Sequence, residues 1–439
     1  FQNGEDSTTR LEGFTIKNGF VIEKAGGAVI CLGASPTFFN CVFENNIVSF
    51  DSTSLKGALA VGGGVSCSAS VSIFEDCVFT ANTAHAGGGL HCTDSSSITV
   101  RNCSFISNAA NPWRFGGQFG SGGRGGGISC INSTIEILGS SFVDNSAHFG
   151  AGVSFKFSTG LVDSCTFNSN EANYFGVFAG PQFPGLGGAI ALKESSPGVS
   201  NSTFVGNISH PNPLPFPSLG AAIYCADGAN PMITSSTFYA NIAEDITDVF
   251  GTDTGRGSAL FAWNASPTLE KCVMSFSESG NAVDCIQQTD DLIVIRCSDI
   301  FGNAGGNWVG CIAGLDSTNG NFSLDPYFCD TTTLDLTLQP GSPCSVAHNS
   351  CEELIGRFGI GCSGPFCCAL AGDADNNVSV NIADITFLIA RIFAGGSAPN
   401  CNDEADANGD NKVNIADVTF LIARIFAGGP APICGTTGS

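Results

Sequence analysis

The chain has 439 residues, with 16 Lys plus Arg against 39 Asp plus Glu, for a net charge of −23. That balance argues against binding nucleic acid or an anionic membrane, where basic patches supply the affinity. Charged residues are only 13%, yet 35 Phe and many aliphatic side chains need burial, which excludes a disordered chain and leaves room for one large and one small domain.

The first 300 residues repeat themselves. One signature is Phe-x-x-Asn, at Phe79–Asn82, Phe105–Asn108, Phe142–Asn145, Phe167–Asn170, Phe204–Asn207 and Phe238–Asn241, with Phe43–Asn46 set apart from the series. The other is Gly-Gly-Gly/Ala before an apolar residue, at Gly62 to Val65, Gly87 to Leu90, Gly125 to Ile128 and Gly187 to Ile190. The glycine clusters lie 25 residues apart at 62→87 and 125→150, and insertions stretch the period elsewhere. Short alternating segments such as Ile98-Thr-Val100 and Ile135-Glu-Ile137 read as strands. Three short strands per unit, stacked at about 4.8 Å per coil, predict a parallel β-helix with Phe ladders inside and Asn at a tight corner. The paired signatures resemble the repeats of polymorphic outer membrane proteins and related surface adhesins. That resemblance implies a right-handed, all-β solenoid over 1–310.

The 21 cysteines point to an oxidising, exported setting, extracellular or at a cell surface. No run of 18 apolar residues is present, so no transmembrane helix is expected. The chain opens at Phe1 without Met or a signal peptide and reads as a processed or truncated product. Cys31/Cys41, Cys67/Cys77, Cys92/Cys103 and Cys285/Cys297 lie 10–12 residues apart, and Ser140, Phe155 or Ser236 stands where a member is missing. That interchange fits small inward-stacked residues as well as disulfides. Insertions at 46–61, 109–124, 171–186, 208–219 and 242–256 carry Phe50, Trp113, Phe115, Phe119, Tyr174, Phe175, Phe178, Phe183, Phe216 and Phe250. Stacked, they would form an aromatic flank fit for a glycan or a protein, or one that packs on the solenoid wall. Residues 311–366 break the period and carry five cysteines, reading as a closing cap over an open strand edge.

Two copies of one loop end the chain, each followed by a near-identical apolar helix. They run Asp373-Ala-Asp375-Asn-Asn377-Val-Ser379-Val-Asn381-Ile-Ala-Asp384 and Asp406-Ala-Asn408-Gly-Asp410-Asn-Lys412-Val-Asn414-Ile-Ala-Asp417. Oxygen side chains at loop positions 1, 3, 5, 9 and 12 suit a hard cation that gathers six or more oxygens at about 2.3–2.6 Å. The duplication resembles a dockerin module, over 367–439. The resemblance implies two Ca2+ sites, with ligands Asp373, Asp375, Asn377, Asn381 and Asp384, then Asp406, Asn408, Asp410, Asn414 and Asp417. Ser379 and Lys412 would add backbone carbonyls. It also implies a cohesin-like partner chosen by Ile382-Ala383 and Ile415-Ala416. Position 6 is Val378 and Asn411, where such loops favour Gly. Asn tolerates positive φ better than Val, so the second loop is the better fit.

A catalytic reading needs paired carboxylates, or calcium with a basic residue, on the solenoid face. Glu44, Glu75, Asp76, Asp144, Asp163 and Glu194 are scattered, and Asp290-Asp291 lacks a polygalacturonase-type companion motif. The five histidines do not cluster with carboxylates, and His85 and His148 read as solvated turn residues. No catalytic residue is assigned. The expectation is an exported, calcium-binding, non-enzymatic structural or adhesive protein: a β-helix rod coupled through its dockerin-like module to a cohesin-like partner, or head-to-tail to another copy in a filament. The alternatives are a polysaccharide lyase or glycoside hydrolase recruited by its dockerin, and a carbohydrate-binding adhesin.

Overall fold

The computed structural model describes residues 1–49, 60–111, 123–176, 182–212, 217–248, 251–253, 255–286, 293–362, 370–399, 401–410 and 412–433. Two compact units emerge: Phe1–Asp325 with Glu353–Arg357, and Pro326–Glu352 with Phe358–Ser439.

The first unit is a right-handed parallel β-helix. Among the described residues, four parallel sheets hold ten, ten, eight and nine strands. The first starts at Arg10–Glu12, the second at Thr15–Lys17, the third at Phe20–Ile22 and the fourth at Val29–Leu32. Each full coil gives one short strand to each sheet, as Leu90–Thr93, Ser97–Arg101, Ser104–Ile106 and Ala109–Ala110 do.

Strand alternation turns every second side chain inward, and in-register stacking then places like residues on like residues. Phe43, Phe79, Phe105, Phe142, Phe167, Phe204 and Phe238 form one continuous stack with centroids 4.6–5.0 Å apart. Asn46, Asn82, Asn108, Asn145, Asn170, Asn207 and Asn241 form a parallel stack, all essentially without solvent access. Phe43 and Asn46 keep the same three-residue spacing, belong to the series and head both ladders. The Asn170 Nδ2 donates to the Phe142 carbonyl at 3.0 Å, and its Oδ1 accepts from the backbone and side-chain nitrogens of Asn145. Each Asn thus satisfies backbone groups that a buried corner would orphan. The glycines are equally dictated. Gly87 has φ +64°, and a Cβ on Gly89 would lie 2.9 Å from the Phe105 ring.

The cysteine ladder resolves into free, buried thiols. Cys31, Cys67, Cys92 and Cys130 are in register along the fourth sheet, where Phe155 continues the column. At another corner the Cys77 N–H donates to Cys103 Sγ at 3.4 Å, and the Cys103 N–H to Ser140 Oγ at 3.1 Å. Cys and Ser interchange there because either offers a small acceptor to the preceding coil. Cys285 bonds to Cys311 rather than to Cys297.

In the second unit, Phe328–Asp330 and Asp335–Leu338 pair antiparallel, and Cys329 is bridged to Cys362. Three helices follow: α1 (Ile382–Ala394), α2 (Asn402–Ala405) and α3 (Ile415–Ala427). Ile385 and Leu388 of α1 and Val418 and Leu421 of α3 meet Ala374, Ala405 and Ala407 in one small core.

Candidate metal and docking site

Both loops end by capping a helix. Asn381 and Asn414 are the N-caps of α1 and α3; their side-chain oxygens accept from Ala383 and Ala416 N–H, each at 2.8 Å. Asp384 and Asp417 reach back to the Asn381 and Asn414 N–H at 2.7 and 2.8 Å, completing two capping boxes. The last loop residue therefore serves the helix with one oxygen while facing the loop.

In the first loop the Asp373 carboxylate accepts from Asn377 N–H at 3.0 Å and Val378 N–H at 2.7 Å, folding the chain around it. Asp384 Oδ1 accepts from Asp375 N–H at 3.2 Å. Carboxylate oxygens of Asp373, Asp375 and Asp384 lie within 4.8 Å of one another. Asp375 Oδ1 is buried with no hydrogen-bond partner among the described residues, while its Oδ2 accepts from Asn377 Nδ2 at 2.9 Å. The Ser379 carbonyl accepts from Asn381 Nδ2 at 2.9 Å. Burial pushes the Asp384 carboxyl above its ordinary value, and the charges of Asp375 and Asp373 push the same way. Three crowded carboxylates and an orphaned oxygen, with an all-oxygen donor set, fit a hard divalent cation.

The second loop repeats the pattern. Asp406 and Asp417 are fully buried. Asp406 Oδ1 and Asn408 Oδ1 accept from Asp410 N–H at 3.1 and 2.9 Å, and Asp417 Oδ1 from Asn408 N–H at 3.2 Å. The Lys412 carbonyl accepts from Asn414 Nδ2 at 3.3 Å. Burial also raises the Asp417 carboxyl, with Asp406 and Asp410 adding to it. Asn411 lies outside the described residues. Val378 sits in the left-handed region at φ +62°, the conformation for which Gly is preferred at position 6, and Asn376 precedes it at φ +60°.

The positions named for docking lie on the same part of each helix. Ile382 and Ile415 are exposed, and Ala383 and Ala416 half-buried. The exposed apolar stripe continues beyond them to Ile389 and Phe393 on α1 and to Ile422 and Phe426 on α3. Phe393 is 68% exposed and Phe426 65%, so two large rings per module meet solvent. The same i, i+7, i+11 spacing in both helices was present in the sequence and marks the stripe.

Elsewhere the structure corrects the histidines. His148 is buried, its Nδ1 donating to the Asn173 carbonyl at 3.0 Å. His210 does meet carboxylates: its Nδ1 lies 2.8 Å from Glu244 and its Nε2 3.7 Å from Glu171. Sequence separation hides this trio, which three successive coils bring to one sheet edge. Of the expected aromatic flank, Tyr174 is exposed, while the other side chains and Asp290-Asp291 lie outside the described residues.

Comparison with known proteins agrees with this architecture. Residues 3–204 match the family of the right handed beta helix region, and residues 371–426 match the dockerin type I domain. Metabotropic glutamate receptor-like protein R of Dictyostelium discoideum is 24% identical over 330 residues, covering 70% of this chain. The chain spans only 18% of that relative's length. No solved structure matches. Right-handed β-helices occur in enzymes and non-enzymes alike, whereas dockerin type I domains bind calcium and typically pair with cohesins. Residues 3–204 are accordingly a right-handed β-helix region, and residues 371–426 are a dockerin type I domain.

Proposed function

We propose that this protein is an extracellular β-helix rod that its dockerin domain couples, in the calcium-bound state, to a cohesin-like partner. The observation that carries this reading is the duplicated stripe Ile382, Ile389, Phe393 and Ile415, Ile422, Phe426, exposed on two helices whose starts are fixed by the loops. Exposed rings and aliphatic side chains in a row mark a contact surface. Calcium would be held by Asp373, Asp375, Asn377, Asn381 and Asp384 with the Ser379 carbonyl, and by the matching set Asp406, Asn408, Asp410, Asn414 and Asp417 with the Lys412 carbonyl. Their role is to hold each helix start, and with it each stripe, in one orientation.

The test is sedimentation of the full chain with a cohesin domain, in calcium and then in EGTA. A complex that forms only with calcium, and that is lost in an Ile382→Asp/Ile415→Asp double variant, supports the reading. Calcium-dependent fibres of the chain alone would replace the partner by a second copy. Release of unsaturated sugars from pectin or alginate would make the β-helix an enzyme instead of a rod.

A further inference from the structure

The outer face of the fourth sheet carries Ser66, His91, Ser129, Ser154, Ala191, Tyr224, Phe261 and Asp284 in one register column. Five residues earlier in each coil, single bridges align Val61, Ala86, Arg124, Phe149, Leu186, Leu219 and Arg256 in a second column. Two arginines therefore occupy equivalent places. Arg256 is paired: its Nε donates to Asp284 Oδ2 at 2.6 Å, and Asp284 is the outward residue of the next coil. For Arg124 that next-coil position is Ser154.

Arg124 is half-buried and, among the described residues, makes no ion pair or side-chain hydrogen bond. Its guanidinium lies 4.6 Å from the Phe149 ring centroid. A cavity of about 60 Å³ opens beside it, lined by Arg124, Phe149, Ser154, Lys193, Tyr224 and Asp227 among others. Lys193 and Asp227 pair at 2.8 Å. In the same outward column Ser129 Oγ and His91 Nδ1, on residues 0% and 3% exposed, have no hydrogen-bond partner among the described residues. A guanidinium stays charged when desolvated, so an unpaired one in a partly buried place favours an anion. Its fork matches a carboxylate, the group that Asp284 supplies to the equivalent Arg256.

We infer that the Arg124 cavity binds the carboxylate of a small organic acid, which takes the place that Asp284 holds against Arg256. Ser154 leaves room for it. Tyr224 and the Lys193–Asp227 pair line the same cavity and offer hydroxyl-recognising groups, so the acid is either free or borne on a sugar.

The experiment is equilibrium dialysis of the full chain with acetate, glucuronate and glucose, each against wild type, Ser154→Asp and Arg124→Met. Acetate or glucuronate binding, with none for glucose, is expected. Ser154→Asp rebuilds the Arg256–Asp284 arrangement from the chain's own atoms and should weaken carboxylate binding at least tenfold without lowering the unfolding temperature. Glucuronate bound tenfold more tightly than acetate assigns a sugar acid; equal affinities assign a free one. Carboxylate binding that is absent from wild type, unchanged in Ser154→Asp, or matched by glucose overturns the inference.

Discussion

Arg357 and Thr203 are 154 residues apart in the chain, yet Arg357 Nη1 donates to Thr203 Oγ1 at 2.8 Å. The same guanidinium reaches Thr166 Oγ1 and the Cys165 and Ser164 carbonyls, and the Arg357 N–H donates to Thr237 Oγ1 at 3.0 Å. Thr166, Thr203 and Thr237 are register neighbours on the outer face of the second sheet. A five-residue segment of late sequence thus straps successive coils from outside, and it is why Thr203 and Thr237 are buried although they point away from the core. Hydrogen bonds to a charged group contribute about 1.5–3 kcal/mol each and do not add. Arg357→Ala should therefore destabilise the β-helix by about 2–4 kcal/mol, read by calorimetric unfolding of the full chain. Arg357→Lys should recover less than half, because an ammonium cannot span two carbonyls and two hydroxyls.

The Asn ladder predicts a sharper penalty. Asn170→Ala leaves the Phe142 carbonyl and both donating nitrogens of Asn145 without their partner in a site closed to water. Each orphaned group costs about 1–3 kcal/mol, so a loss of about 3–5 kcal/mol is expected in denaturant unfolding. The neighbouring Asn168, half-buried on the outside of its strand, is the control: Asn168→Ala should shift stability by less than about 0.5 kcal/mol.

Acid should loosen the β-helix through its buried imidazoles. Burial pushes His91 from 6.5 down to about 4, and His148 likewise. The unfolded chain takes up a proton at each site below its ordinary value, and the folded chain does so only near 4. Stability contributed by these neutral rings is therefore complete above pH 6.5, falls as pH drops from about 6.5 towards 4, and levels off below. His91→Ser copies the Ser66 and Ser129 that flank it in register. The variant should unfold with a shallower dependence across that window, by on the order of 2–3 kcal/mol at pH 4 relative to pH 7. Identical profiles for the two proteins would show that His91 titrates freely in the fold.

Local repetition made most of the architecture legible. Phe142 and Asn145 report their own strand and corner, because a stacked coil reuses one short pattern and its energetics are nearest-neighbour. The loops ending at Asp384 and Asp417 are legible for the same reason: the proposed ligands and the helix cap lie within twelve residues. What stayed hidden depends on which coil meets which. The Glu171–His210–Glu244 trio, the strap at Arg357 and the contrast between Arg124 and Arg256 all arise from register across insertions of unequal length. Cys31 and Cys67 show the other limit, since spacing within a coil says nothing of whether a thiol is bridged or simply stacked.

Val378 offers the cleanest test of the first loop as a proposed calcium site. It is 84% exposed, so its side chain contributes almost no packing, yet it is held at φ +62° so that its N–H can donate to Asp373. A β-branched residue pays about 1–2 kcal/mol for that conformation and glycine does not, although glycine loses about 0.5–1 kcal/mol of chain entropy on ordering. Metal binding and ordering of such a loop are coupled, so the net gain of about 1 kcal/mol should appear as affinity. Val378→Gly should bind calcium about fivefold more tightly at one site by titration calorimetry, leaving the other site unchanged. Val378→Ala keeps a Cβ and should gain little. Equal affinities for the Gly and Ala variants would mean that the left-handed backbone at this position does not limit the site.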